Sequence, residues 1–117
     1  MATMTGAEME IAGLGDFRDK LHLTWEDIAA TIGVDQSTLV RWRNGESSPR
    51  PMARSRLVQI GELAQMLRRM FAGADHAREW LKESHPEVLA GATPLEVLRS
   101  GRIDRVLMLL HFLARGA

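Results

Sequence analysis

The sequence predicts an all-α protein: an N-terminal helix-turn-helix bundle, a long bridging helix and a small C-terminal helical domain. Three observations carry this. Apolar residues recur three and four positions apart in almost every periodic segment. No segment alternates apolar and polar residues as a half-buried strand would, and there is no tyrosine. Several segments also open on residues that cap helices.

Residues 1–10 are expected to be a flexible leader, followed by a short helix over 14–21 that begins near Gly13 and Gly15. In "LTWEDIAATIG", Thr24 is placed as N-cap with Asp27 at the third helical position, a capping box with Asp in place of Glu. Leu23 and Ile28 form the accompanying hydrophobic staple, and Gly33 suits a left-handed helix end. The pattern then repeats: Asp35 caps the next helix, Val34 and Leu39 staple it, and Asn44-Gly45 stops it. Two short helices around a tight glycine turn form a helix-turn-helix, here assigned to residues 11–51.

Pro49 and Pro51 make "ESSPRP" a loop. Over 52–71, Leu57, Ile60, Ala64, Leu67 and Phe71 make one apolar stripe, with Leu63, Met66 and Met70 beside it. A helix apolar on two sides must be covered on two sides, which suits both a bridge between subdomains and a dimer contact. Residues 72–117 follow as a third unit. It holds a helix over 75–84, a turn at "HPEVLAG", a helix capped by Thr93 with Pro94 first and Glu96 third, and an apolar helix over 102–115. That last helix either completes a core or mates with a partner.

Composition narrows the function. A chain of 117 residues with 45% hydrophobic side chains is globular in character. The absence of cysteine removes disulfides and thiolate metal sites. The start, "MATMTGAEMEIAG", has neither the basic nor the apolar region of a signal peptide, and "VLMLL" is too short to cross a bilayer. The expectation is a cytoplasmic protein with no membrane association. His22, His76, His85 and His111 lack metal-ligand spacing, and there is no phosphate loop or nucleophile motif, so no metal, cofactor or catalytic role is expected.

The zero net charge conceals an asymmetry. Residues 1–35 hold seven acids against two bases, residues 36–69 seven arginines against two glutamates, and residues 70–117 six of each sign. A basic block dominated by arginine is a nucleic-acid signal. Placed on a helix, Gln36, Ser37, Val40, Arg41 and Asn44 share one arc, with Leu39 and Trp42 opposite. A solvated helix face carries similar residues, but the two stapled caps and the opposed apolar side favour a recognition helix. On this reading Gln36, Ser37, Val40 and Arg41 face base edges: Gln36 suits adenine, Arg41 guanine and Val40 a thymine methyl. Thr24, Trp25, Thr38, Arg43, Asn44 and Arg50 are the candidate phosphate contacts. Trp25 also shares a face with Ile28, Ala29 and Ile32, so core packing is its other reading.

"LTWEDIAATIGVDQSTLVRWRNGESSP" resembles the Xre-type, phage-repressor-like helix-turn-helix, with Leu-Thr entry, Ile-Ala, Gly-Val and a recognition helix ending in Trp-x-x-Gly before proline. Trp25 stands where that family often has a phosphate-contacting glutamine, and Arg43 where it often has glutamate. The second half resembles the toxin-binding domain of the Xre/MbcA/ParS antitoxin family. The shared marks are Trp80-Leu81, Pro86, Leu89-Ala90-Gly91, Thr93-Pro94-Leu95, Leu98, Gly101, Val106 and Gly116. The resemblance implies an antitoxin that neutralises a RES-domain, NAD-degrading toxin and binds double-stranded operator DNA to repress its operon. It also implies a homodimer within a larger hetero-oligomer. Trp80, Arg115, Gly116 and Ala117 are then the candidate toxin contacts, the last three as a short tail able to enter a cleft.

Overall fold

A computed structural model describes residues 6–86 and 88–116, and among them every regular element is helical. The order is α1 Gly6–Leu21, α2 Trp25–Ile32, α3 Gln36–Arg43, α4 Pro51–Met70, α5 Ala74–Leu81, α6 Pro94–Arg99 and α7 Ile103–Ala114.

The caps follow the sequence closely. Thr24 Oγ1 accepts the Asp27 amide at 3.0 Å while Asp27 Oδ2 accepts the Thr24 amide at 2.9 Å, completing the capping box of α2. Thr93 and Glu96 form the same reciprocal box at α6. Asp35 caps α3 through the Thr38 amide, and Pro51 occupies the first turn of α4, where its missing N–H costs no intrahelical bond. Gly33 ends α2 at φ +88°, a left-handed conformation that side chains with a Cβ resist.

Two boundaries differ from the expectation. Helix α1 begins at Gly6, so residues 6–10 belong to a helix rather than to a leader; residues 1–5 lie outside the described residues. Leu14, Phe17 and Leu21 are buried at helical spacing, and Ile11 packs against the same core one turn earlier. Glycine in a helix costs about 1 kcal/mol relative to alanine. That cost at Gly13 and Gly15 is smaller than the gain from seating such an apolar face. The other change is in α5, which stops at Leu81 rather than Ser84. Ser84 Oγ instead donates to the Gly91 carbonyl at 2.7 Å, closing the loop before α6.

The helix-turn-helix and the C-terminal helices share one core. Helix α4 packs against α1 and α7, α2 against α6, and α1 against α5. Leu57, Ile60, Leu63, Met66 and Leu67 of α4 are buried in this arrangement. Its two-sided apolar pattern is therefore satisfied within a single chain, by α1 and α7. Leu39 and Trp42 of α3 join the same core, as do Leu98 of α6 and Val106 and Leu110 of α7.

Candidate nucleic-acid interface and toxin-binding face

The partition of α3 is the one its periodicity predicts. Leu39 and Trp42 are 1% and 6% exposed, whereas Gln36, Ser37, Val40, Arg41, Arg43 and Asn44 face solvent. Val40 is 48% exposed, an open position for an apolar side chain. Arg50 is also exposed, at the N-cap of α4.

Asp35 organises the front of α3. Its Oδ1 accepts from Thr38 Oγ1 at 2.6 Å, the Thr38 amide at 2.8 Å and Ser37 Oγ at 2.9 Å. Arg41 Nη2 donates in turn to Thr38 Oγ1 at 3.2 Å. Bonds from the Thr38 side chain and amide, then from Ser37, outweigh slight desolvation and, with nearby Arg41, hold the Asp35 carboxyl down at about 2. The carboxylate thus fixes the rotamers of Ser37 and Thr38, and through Thr38 it steers Arg41. Ser37 keeps only its lone pairs for an outside partner. Thr38 is half-buried and committed on both sides, a poorer phosphate donor than the other candidates.

Beside this face Trp25 packs in part against the core, one of its two expected readings. The indole is half-buried, and two guanidinium groups lie over it, Arg43 at 4.1 Å and Arg18 at 5.1 Å from the ring centroid. Trp25 is therefore a platform for arginines contributed by α1 and α3. Arg18 was not among the sequence candidates, since nothing in the chain signals that α1 reaches this surface. Thr24 is exposed, and its side chain is engaged with Asp27 in the capping box.

The C-terminal candidates separate. Trp80 is 7% exposed, its ring 5.6 Å from Phe71 and 5.3 Å from His85 between centroids. It is thus a core residue of α5 rather than an open contact surface. The helical period puts it on the same face as Ala77 and Leu81, both also buried, and the turn at His85 covers it. Arg115 and Gly116 are exposed at the end of α7, while Ala117 lies outside the described residues. The larger open surface on α7 is one that sequence reasoning missed. Met108 is 69% exposed, Phe112 49% and Leu113 37%. The signal was present as the i, i+4 spacing of Met108 and Phe112. In a helix apolar on most sides, however, the sequence does not tell which residues the fold covers.

The two halves meet through three arginines, one of them Arg78 of α5, which donates to the Lys20 carbonyl at 2.6 Å. Arg99 of α6 donates from Nε to Asp27 Oδ1 at 2.7 Å, and Arg56 of α4 donates to the Ile32 carbonyl at 2.8 Å, at the end of α2. Burial raises the Asp27 carboxyl, but the Arg99 hydrogen bond and the Thr24 amide and hydroxyl together leave it below its ordinary value. No group of His, Asp and Glu able to hold a metal ion occurs among the described residues, and none of their helices is long and apolar enough to cross a membrane.

With this geometry in view, similarities to known proteins fall on both halves. The helix-turn-helix family matches residues 14–53, and the family described as antitoxin Xre/MbcA/ParS C-terminal toxin-binding domain matches residues 66–115. The second match begins inside α4, consistent with one helix serving both halves. The mycobacterial cidal antitoxin MbcA of Mycobacterium tuberculosis (strain ATCC 25618 / H37Rv) is 26% identical over 98 residues, 84% of this chain and 85% of that protein. MbcA of Mycobacterium bovis matches to the same extent. A chain in the crystal structure of the M. tuberculosis MbcT–MbcA toxin–antitoxin complex shares the fold, with a TM-score of 0.68 at 23% identity over 97% of this chain and 98% of that one. The chain is thus similar, in this order, to a helix-turn-helix domain and to the toxin-binding domain of the Xre/MbcA/ParS antitoxins.

Proposed function

We propose that this protein neutralises a RES-domain, NAD-degrading toxin through its C-terminal half and binds operator DNA through its N-terminal half to repress the shared operon. The observation that carries the reading is the pairing, around one core, of an exposed polar face on α3 with a segment similar to the toxin-binding domain family. MbcA, an antitoxin with a similar sequence, and its fold relative from a toxin–antitoxin complex support the toxin half. Gln36, Ser37, Val40 and Arg41 read bases; Thr24, Arg43, Asn44 and Arg50 hold phosphates, with Trp25 supporting Arg43 and Thr38 positioning Arg41. The open Met108/Phe112/Leu113 side of α7 and the tail at Arg115, Gly116 and Ala117 contact the toxin. The protein acts in the cytoplasm without catalysis or a cofactor. It works as a homodimer within a hetero-oligomer, because repressors of this kind read two-fold operators with paired recognition helices.

Co-expression with the adjacent reading frame tests the antitoxin role. The neighbour alone is expected to arrest growth and to lose toxicity when this chain is present. A harmless neighbour, or one still lethal beside this chain, overturns the toxin half. Binding of the promoter fragment without any toxic neighbour would leave a repressor that answers some other signal.

A further inference from the structure

We propose that Trp25 is a stacking platform that presents Arg43 and Arg18 together as a clamp for backbone phosphates of duplex DNA beside α3. The inference rests on the DNA-binding half of the proposed function and adds to it a mechanism and a residue, Arg18.

The three side chains come from three helices: Arg18 from α1, Trp25 from the first position of α2 and Arg43 from the last position of α3. Only the tertiary fold brings them together. On the helical wheel Arg43 lies next to Gln36 at the edge of the exposed front, so the platform borders the surface assigned to base readout. A guanidinium stacked over an indole is held by the ring's negative face, while its N–H edge remains free for a phosphate in bidentate geometry. An unstacked surface arginine would have to be immobilised on binding, at the cost of its rotamer freedom.

The charges are arranged for an anion. Two guanidinium groups converge on one ring, and Arg43 has no carboxylate partner among the described residues. Arg18 donates from Nη1 to Asp19 at 2.8 Å, yet its Nε is buried with no acceptor among those residues. Arg43 therefore keeps its donors open to a phosphate, and Arg18 adds a second positive charge at the same ring. The family's usual glutamine at position 25 would supply one neutral amide. Here an indole supplies one N–H of its own and gathers two charged groups over its ring.

The test is the salt dependence of binding to a duplex of about 30 bp, using both the protein's promoter sequence and a scrambled one, since phosphate contacts are indifferent to sequence. Each phosphate lost should reduce the slope of log affinity against log salt by about 0.9. Arg43→Ala is expected to lower it by about one contact, and Trp25→Ala by one to two contacts on both duplexes. Trp25→Phe keeps a π face and should retain the wild-type slope, and adding Arg43→Ala to Trp25→Ala should change little. Unfolding midpoints of every variant are measured alongside; should Trp25→Ala fail to fold, Trp25→Phe and an Arg18→Gln/Arg43→Gln pair decide. A Trp25→Ala slope equal to wild type overturns the proposal. So does a Trp25→Phe slope as low as that of Trp25→Ala, which would mean direct contact by the indole N–H. If wild-type protein binds neither duplex, the DNA-binding reading itself fails and the clamp with it, an outcome distinct from binding with an unchanged variant slope.

Discussion

Asp27 and Arg99 join the two halves of the chain: Arg99 Nε donates to Asp27 Oδ1 at 2.7 Å across 72 residues of sequence. The Asp27 side chain is 12% exposed and that of Arg99 49%. The same carboxylate closes the capping box of α2 through its other oxygen, so one side chain serves a local and a long-range contact. Loss of Asp27 therefore removes both. Asp27→Ala is expected to destabilise the fold by about 1–2 kcal/mol, near the upper range for a lost cap. Arg99→Ala should cost less than about 1 kcal/mol, because the pair is partly open to solvent. Urea unfolding of both single variants and the double variant measures their coupling, which is positive if the ion pair is real. All four proteins should unfold in one transition, as a shared core requires.

Acid should lower the stability of the whole fold through two carboxylates of the N-terminal half. Asp27 and Asp35 are both held below the ordinary carboxylate value of 3.8, Asp35 down at about 2. A depressed carboxyl contributes stability that is complete above its unfolded value and lost as pH falls through its folded value. For Asp35 that window runs from about pH 4 to about pH 2. Thermal unfolding of wild type and Asp35→Asn across pH 2–6 tests this. The wild-type advantage is expected to shrink steadily below pH 4. Parallel curves would show that Asp35 carries no such linkage.

Gly33 is the point where backbone geometry and packing make the same demand. Its φ of +88° disfavours any residue with a Cβ, and an added Cβ would meet Arg56 Nη1, the atom that donates to the Ile32 carbonyl. Gly33→Ala should destabilise by about 1–3 kcal/mol, combining left-handed strain with the displaced hydrogen bond. Adding Arg56→Ala to Gly33→Ala should cost less than Arg56→Ala does alone, since the contact is already lost. Strict additivity in chemical denaturation would show that the guanidinium simply moves aside.

Local grammar made the caps and the α3 partition legible. Thr24/Asp27, Asp35 and Thr93/Glu96 act over three residues, and Leu39 and Trp42 fall opposite the polar arc by period alone. What the sequence could not display depends on which helices meet. Nothing near Arg18 announces a neighbour on α2, and nothing near Arg99 announces Asp27. Trp80 shows the same limit in reverse: a tryptophan in a toxin-binding motif suggests a contact, but its own helix turns it inward toward Phe71 and His85. The two-sided apolar pattern of α4 signalled burial correctly, while the identity of the covering surfaces, α1 and α7, came only with the fold.

Specificity and affinity should separate on α3. Arg41 and Gln36 are exposed at the centre of the front, whereas Arg50 lies at the end of the following loop. Arg41→Ala and Gln36→Ala are expected to reduce discrimination between operator and scrambled duplex by about 1–3 kcal/mol each. Arg50→Ala should weaken binding to both duplexes alike and lower the salt slope by about one contact. Competition binding at fixed salt reads this directly. Equal losses on the two duplexes for Arg41→Ala would move Arg41 to the backbone.

The outer side of α7 offers the cleanest separation of folding from partner binding. Leu110 is fully buried, and Leu110→Ala should cost about 2–5 kcal/mol and reduce neutralisation only through loss of folded protein. Met108 and Phe112 stand one turn apart and largely open, so truncating both removes little intramolecular packing. Surface changes of this kind usually alter stability by no more than about 0.5 kcal/mol. If this side meets the toxin, the Met108→Ala/Phe112→Ala protein should keep its unfolding midpoint and its DNA affinity while losing at least about tenfold in toxin affinity, as truncation of buried interface anchors does. Titration calorimetry against the co-expressed neighbour, with promoter binding run in parallel, checks all three quantities. Unchanged toxin affinity would place the contact on the tail at Arg115 and beyond, and combined loss of DNA and toxin binding would mean that the variant had unfolded.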